Sequence, residues 1–282
     1  MKGYKAFNKG LICKEKQYKE NETFEEERAV PCHRGMHFCK NPFDVLNFYD
    51  LVDENGEFSD FARVEAPDDA EVKTDDNIKY CTTKLKVGAK FSFAGFVKTC
   101  VDFVIEKTQS EKPDSGHSAK IGSSGNYAQI GSSGNYAQIG SSGHYAKIGS
   151  SGHSAKIGSS GNSAKIGSYG DYAKIGSSGN YAQIGSSGNS AKIGSSGHSA
   201  KIGSYGDSAQ IKSTGYDSII CCAGDDSCVS AKKGSWITLA EWKYSYEKDR
   251  YVPKCVKTEY VDGERIKEDT MYKLIDGEFT EV

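Results

Sequence analysis

The sequence is poor in proline, with 5 in 282 residues, and has only 3 methionines. A Pro-rich disordered chain is therefore excluded. No run of about 18 apolar residues occurs, so no membrane-spanning helix and no membrane insertion are expected. The opening "MKGYKAFNKGLICKEK" lacks the apolar stretch of a secretory signal. The nine cysteines are irregularly spaced and odd in number, which excludes a small disulfide scaffold and points to reduced thiols in a cytoplasm. The formal net charge is −2, so no excess of one sign marks the chain as nucleic-acid-binding or acidic-tailed. Neither GxSxG, Walker A, HExxH nor a GxGxxG after a strand is present. No catalytic residue and no cofactor are assigned on these grounds.

Metal chemistry is also thinly represented. "CHRGMHFC" gathers Cys32, His33, His37 and Cys39, ligand types that zinc accepts, but at no recognised finger spacing. Buried thiols beside ordinary histidines are the simpler reading. The carboxylate groups at 25–27, 68–69 and 75–76 fall in loop-like sequence and read as solvated charge.

What the sequence does have is a nonapeptide, [S/Y]-A-[K/Q]-I-G-S-[S/Y]-G-[N/H/D]. Alanine recurs every nine residues from Ala119 to Ala209, and Ile follows two later from Ile121 to Ile211, giving eleven units without a slip. An Ile in every unit is not linker composition. Residues two apart in an extended chain share a side, so Ala and Ile face inward and Lys or Gln outward. The remaining Gly-Ser-Ser-Gly-Asn reads as turn, with Gly and Asn accepting positive φ. One short strand cannot bury its own Ala and Ile; stacking on equivalent strands does, and the result is a β-solenoid. Two units per coil, 18 residues, is the first choice, and three units with a triangular section the second. A calcium β-roll would need an Asp per unit, but that slot holds Asn, His or Ser, with Asp only at 171 and 207.

On the two-unit reading, Lys156, Lys174 and Lys192 stack on one face. Lys147, Lys165 and Lys201 stack on the other, with Gln183 between them. Residues 117–211 hold seven Lys and two Asp, a local excess of five positive charges. Tyr127, Tyr136, Tyr145, Tyr172 and Tyr181 lie beside these rows. Lysine and tyrosine on a flat regular surface suit a macromolecular partner, a host protein or a polyanion. The bland alternative is that lysines only keep the rod soluble. Oligomerisation is left open.

After Ile211 the pattern loosens. Ser recurs at Ser218, Ser227 and, one residue short of the period, Ser235, and Ile220, Val229 and Ile237 read as apolar residues in the outward slot, implying a cover. "WITLAEWKYSY", "YVPKCVKTEYVDGERI" and "MYKLIDGEF" read as strands that cap the rod end. Before the repeat, "YKAFN", "ICKEKQYKENETFEE", "GMHFCK", "FARVEA" and "KYCTTKLKVG" read as strands. "NPFDVLNFYDLV" reads as a helix with Asn41 as N-cap and Pro42 at N1. "FSFAGFVKTCVDFVIEKT" has helical spacing at Phe93, Phe96, Val97, Cys100, Phe103 and Val104. The expected architecture is mainly β: an α+β head (1–112), a β-solenoid (113–231) and a C-terminal β cap (232–282).

The stretches "MKGYKAFNKGLICK…GMHFCKNPFDVLNFY" and "KKGSWITLAEWKY…VDGERIKEDTMYKL" resemble an uncharacterised family of phages, prophages and gut Firmicutes, in which a nonapeptide array often lies between the two. That resemblance implies a phage or bacterial accessory protein and brings no activity. "GMHFCKNPFDVLNFY" is also similar to the strand and tyrosine-bearing helix of ADP-ribosyltransferases. On it, Gly35 and Phe38 would match the glycine-aromatic strand and Tyr49 the NAD-contacting tyrosine. The first strand lacks the His-Gly or Arg that grips NAD, and Glu65 in "RVEA" is the nearest position to a catalytic Glu. This resemblance implies a non-catalytic version of that fold. The leading expectation is thus a non-enzymatic, elongated binding or scaffold protein. An NAD-binding enzyme with the rod as targeting handle is one alternative, and a structural spacer is the other.

Overall fold

The computed structural model describes residues 1–53, 56–110 and 116–282; the expected head–rod boundary at 112/113 lies outside them. From residue 120 the chain winds into a β-solenoid of seven coils. Strands of four residues, Lys120–Ser123, Gln129–Ser132 and so on, alternate between two parallel sheets. Each strand pairs in register with the copy eighteen residues on, as in Lys156↔Lys174 and Ile157↔Ile175. Two units therefore complete a coil, and the triangular alternative does not occur. Seven strands per sheet at ~4.8 Å make a rod of roughly 34 Å.

The strand is K/Q-I-G-S, shifted from the expected S/Y-A-K/Q-I. Ala, Ile and the first Ser all turn inward, so Ala155, Ile157 and Ser159 are each buried. Lys or Gln and the first Gly point outward. The positive φ of each corner falls on the Ser or Tyr before Ala, such as Ser163 at 57° and Tyr172 at 57°, and not on Gly or Asn. The second Gly is required for a different reason: a Cβ on Gly161 would lie 2.0 Å from the carbonyl oxygen of Gly143 in the preceding coil. The Asn/His/Asp slot is also structural. Asn162 Oδ1 accepts from the Asn180 N–H at 2.9 Å, Asp171 Oδ1 from Asn189 at 2.7 Å, and His144 Nδ1 from Asn162 at 3.3 Å. Those three residue types share an acceptor atom at the same reach, and that is why they interchange.

Beyond Ile211 the repeat persists instead of decaying. Ile220 pairs with Ile202 and Val229 with Ile211, both fully buried, while Ser218 and Ser227 occupy the alanine slot. Ile220, Val229 and Ile237 are thus inward residues, correcting the outward assignment. The outward slot passes to Ile219, Cys228 and Trp236. The last rod strand, Trp236–Ser245, continues into an antiparallel pair with Arg250–Tyr260. A hairpin of Tyr272–Ile275 and Glu278–Glu281 adds to Cys228–Ser230. Val261, Ile266, Tyr272 and Leu274 join the rod's apolar interior and close its end, as a solenoid requires.

The head is a seven-stranded antiparallel sheet. Its elements are β1 (Lys2–Phe7), the short pair β2 (Ile12–Cys13) and β3 (Lys16–Gln17), β4 (Thr23–Glu25), β5 (Met36–Cys39), β6 (Asp60–Glu65), β7 (Val72–Lys73), β8 (Lys79–Thr82) and β9 (Lys84–Lys90), ordered β4-β9-β6-β1-β5-β8-β7 with β2 and β3 apart. Asn41 caps as expected, its Oδ1 accepting the Phe43 N–H at 3.0 Å, but the turn is a 3-10 helix ending at Asn47. Helix α1 (Phe93–Ser110) has two apolar faces. Phe96, Cys100 and Val104 enter the head core. Val97 and Val101 turn to the rod.

Gly161→Ala is expected to destabilise the rod by about 1–3 kcal/mol, the cost of forcing a side chain into filled space. Gly167→Ala on an open strand has nothing within 4 Å of its Cβ, and should be neutral or stabilising by up to about 1 kcal/mol. Urea midpoints of the two variants measure the contrast; equal midpoints would contradict the stacking geometry.

Candidate functional site

Both rod faces carry the same two outward rows, Lys/Gln and Gly. They differ in what lies over them. The head rests on the face that holds Lys156, Lys174 and Lys192, so these three do not form the free ladder expected from sequence. Lys156 Nζ donates to Asn47 Oδ1 at 2.5 Å. Lys174 donates to the Leu46 carbonyl at 2.6 Å and to Asp50 at 2.9 Å, and Lys192 also pairs with Asp50. Asn41 Nδ2 donates to Gln138 Oε1 at 2.8 Å, and Gln138 Nε2 to Asp44 at 2.8 Å. Lys212, in a glycine slot, donates to the Gly56 carbonyl at 2.9 Å and pairs with Glu57.

The glycine row of this face is the seat of α1. A Cβ on Gly176 would meet Val97 at 2.9 Å, one on Gly140 would meet Val101 at 3.1 Å, and one on Gly122 would meet Ile105 at 2.8 Å. A bare backbone lets the helix approach closely. The covered face is therefore a docking surface in use: apolar side chains and helix backbone over glycines, carboxylate and amide oxygens over lysines.

Burial shapes the electrostatics. Desolvation lowers Lys156 to about 8, against the partial support of Asp44. Burial raises the Asp50 carboxyl, but hydrogen bonds from Lys192 and Lys174 outweigh it and hold it below the usual carboxylate range.

Among the described residues nothing covers the glycine row of the opposite face. Gln129, Lys147, Lys165, Gln183 and Lys201 run beside Gly131, Gly149, Gly167, Gly185 and Gly203 and, with Ile219, line a shallow trough of about 890 Å³. Nothing lies within 4 Å of a Cβ on any of those five glycines. Tyr127, Tyr145 and Tyr181 are exposed at the corner that leads into this face, and the rings of Tyr127 and Tyr145 stack at 5.1 Å. Tyr136 and Tyr172 stand at the other corner and line the cleft between rod and head with Asp50 and Lys174. The lysines and tyrosines read as one set from sequence thus divide between a used face and a free one. Tyr169 and Tyr205, about three-quarters exposed where open-face strands end, were missed; their substitution for Ser in the seventh repeat position was the available signal.

A second site lies in the head. A cavity of about 550 Å³ brings Gly35, Phe38 and Tyr49 together with Lys5, Cys13 and His37. Lys5 is buried, its Nζ donating to the His37 carbonyl at 3.0 Å and to Cys13 Sγ at 3.5 Å, while Tyr49 donates to Cys13 Sγ at 2.9 Å. Burial lowers Lys5, and burial with nearby Lys5 and Lys79 lowers His37 to about 4. His37 Nε2 accepts the Cys32 N–H at 3.2 Å, consistent with a neutral ring. Glu65 lines a different cavity with Lys2 and Arg63. Cys39 is buried and raised to about 12 by desolvation. Among the described residues no group of three or more His, Cys, Asp or Glu is placed to hold a metal ion.

Residues 1–99 match a family model described as a domain of unknown function, DUF7666. No curated protein and no solved structure matches the chain. No helix among the described residues is long and apolar enough to cross a membrane.

Two outcomes follow from the docked face. Lys156 has a folded pKa below its unfolded value near 10.5, so the unfolded chain binds more protons between about pH 8 and pH 10.5, and stability rises with pH there. The stability of wild type relative to Lys156→Met should increase by about 3 kcal/mol from pH 7 to pH 11, read from urea unfolding of both; a pH-independent difference would contradict the burial of a charged amine. Asp50 is depressed instead, so its contribution is present above its unfolded pKa near 4 and is lost as pH falls through the folded value. Asp50→Ala should loosen the head from the rod by about 1–2 kcal/mol, discounted for its half-exposed carboxylate. Faster amide exchange at residues 156–158 and 174–176 would report it.

Proposed function

We propose that this chain is a non-enzymatic binding or scaffold protein whose free rod face, with Lys147, Lys165 and Lys201, receives a macromolecular partner. One observation carries the reading. The two faces present the same rows, one already works as a docking surface for the chain's own head, and the other stands open. An outward strand glycine costs roughly 0.5–1 kcal/mol against Ala, and none of the five on the open face is required by φ or by a neighbour. Close approach of another molecule gives them a use. The lysine row adds attraction for acidic partners, whether a protein or a polyanion. The resemblance of both ends of the chain to phage and prophage proteins supports an accessory factor acting on a host macromolecule in the bacterial cytoplasm.

A second reading is favoured by the head cavity. It gathers Gly35 and Phe38, which resemble the glycine-aromatic strand of ADP-ribosyltransferases, with Tyr49, which resembles their NAD-contacting tyrosine, and it is lined by cationic and aromatic side chains. A third, a structural spacer, needs neither site.

Lys147→Glu, Lys165→Glu and Lys201→Glu combined should abolish partner capture from host lysate with circular dichroism unchanged; capture at the wild-type level would remove this face from the function. Calorimetry of the whole chain with NAD should give no binding heat. Saturable NAD binding lost in Tyr49→Ala would replace the binding-protein reading with the enzyme one.

A further inference from the structure

The way the head docks also defines the kind of partner that fits the free face. This step rests on that face being a binding surface, and it selects one partner class from those the lysine row attracts. On the covered face, Phe93, Val97, Val101 and Ile105 of α1 recur every four residues. The side chain of Phe93 lies at Gly194 and Gly176, that of Val97 at Gly176 and Gly158, and that of Val101 at Gly158, while the helix backbone itself meets Gly140 at Val101 and Gly122 at Ile105. Each helical turn thus moves down one coil. Four helical residues rise about 6 Å and one coil rises ~4.8 Å, so a helix inclined to the row meets a new coil about every four residues. Beside it, Asp50 neutralises Lys174 and Lys192.

The free face repeats both rows nine residues out of phase, from Gly131 to Gly203 and from Gln129 to Lys201. Glycine and lysine are two residues apart in each strand, about 6.6 Å. A helix about 10 Å across, seated on the glycines, places one flank within reach of the lysine amines. We infer that the free face takes an amphipathic acidic helix from a protein partner, with apolar residues four apart over Gly131–Gly203 and carboxylates toward Lys147, Lys165 and Lys201. A flexible polyanion would use the lysines alone and would leave the glycine row without a role. The rows separate the two classes.

The test is fluorescence anisotropy of the full chain with a synthetic peptide of the length of α1. The peptide carries Phe, Val, Val and Ile at every fourth position and glutamates along one flank. Saturable binding is expected, and none to a peptide with the apolar positions scrambled. Binding should weaken at least about tenfold, some 1.4 kcal/mol, in the Lys147/Lys165/Lys201→Glu variant. It should weaken equally in Gly149→Val, Gly167→Val and Gly185→Val combined. Open space around those glycines and the β-propensity of Val predict an unchanged or higher urea midpoint, so loss of binding there is not loss of fold. No saturable binding, or binding indifferent to the valines, overturns the helix. Lysine-dependent binding of heparin alone also overturns it while leaving the wider reading of the face intact. If neither probe binds and lysate capture ignores the glutamates, both readings fall.

Discussion

The strands of the rod satisfy their backbones by pairing with copies one coil away, eighteen residues throughout the nonapeptide array, and most other features depend on that constraint. An interior two strands wide has room for Ala, Ile and Ser and little else, so the inward slots hardly vary. The corner must bring Gly161 within contact of the Gly143 carbonyl, so that glycine is fixed by proximity. The Asn/His/Asp slot must offer an acceptor to the N–H one coil later. With those positions committed to stacking, the outward Lys/Gln and Gly rows remain, together with the exposed Ser or Tyr at the corners.

Those outward rows are duplicated, because two identical units make one coil. A nonapeptide rod therefore comes with two nearly equivalent faces. The head breaks the equivalence by occupying one. It does so with a helix whose two apolar stripes serve different masters, Phe96 and Cys100 for its own core and Val97 and Val101 for the rod. The polar side of the same contact is Asp50 between two amines. Burying Lys156 without a carboxylate of its own costs stability, which its lowered pKa records.

Much of this was legible in the sequence because the period is unbroken. The solenoid and the inward direction of Ala and Ile follow from spacing alone, whereas the choice of two units per coil over three is fixed by pairings such as Lys156↔Lys174. At the end of the rod the count alone places Ile220 inward, nine residues after Ile211, and its pairing with Ile202 agrees; reading Ile220 as outward departs from the period. The corner was misread because positive φ was assigned by residue type, whereas stacked neighbours force Ser163 and Tyr172 into it. The corner, unlike the rod end, depends on the stacked coil and not on residue type.

The division of the lysines was the least legible feature, since it depends on where the head lands. Val101 was not counted among the apolar positions of α1, yet it is fully buried over Gly140 and Gly158. A helix that reads as one broad stripe leaves its second face unassigned, and that face is what chooses the covered side. Read together, Val97, Val101 and the outward glycines form a complementary pair of patterns, four-residue steps against eighteen-residue steps. The same glycine pattern recurs on the free face, where none of the described residues lies over it.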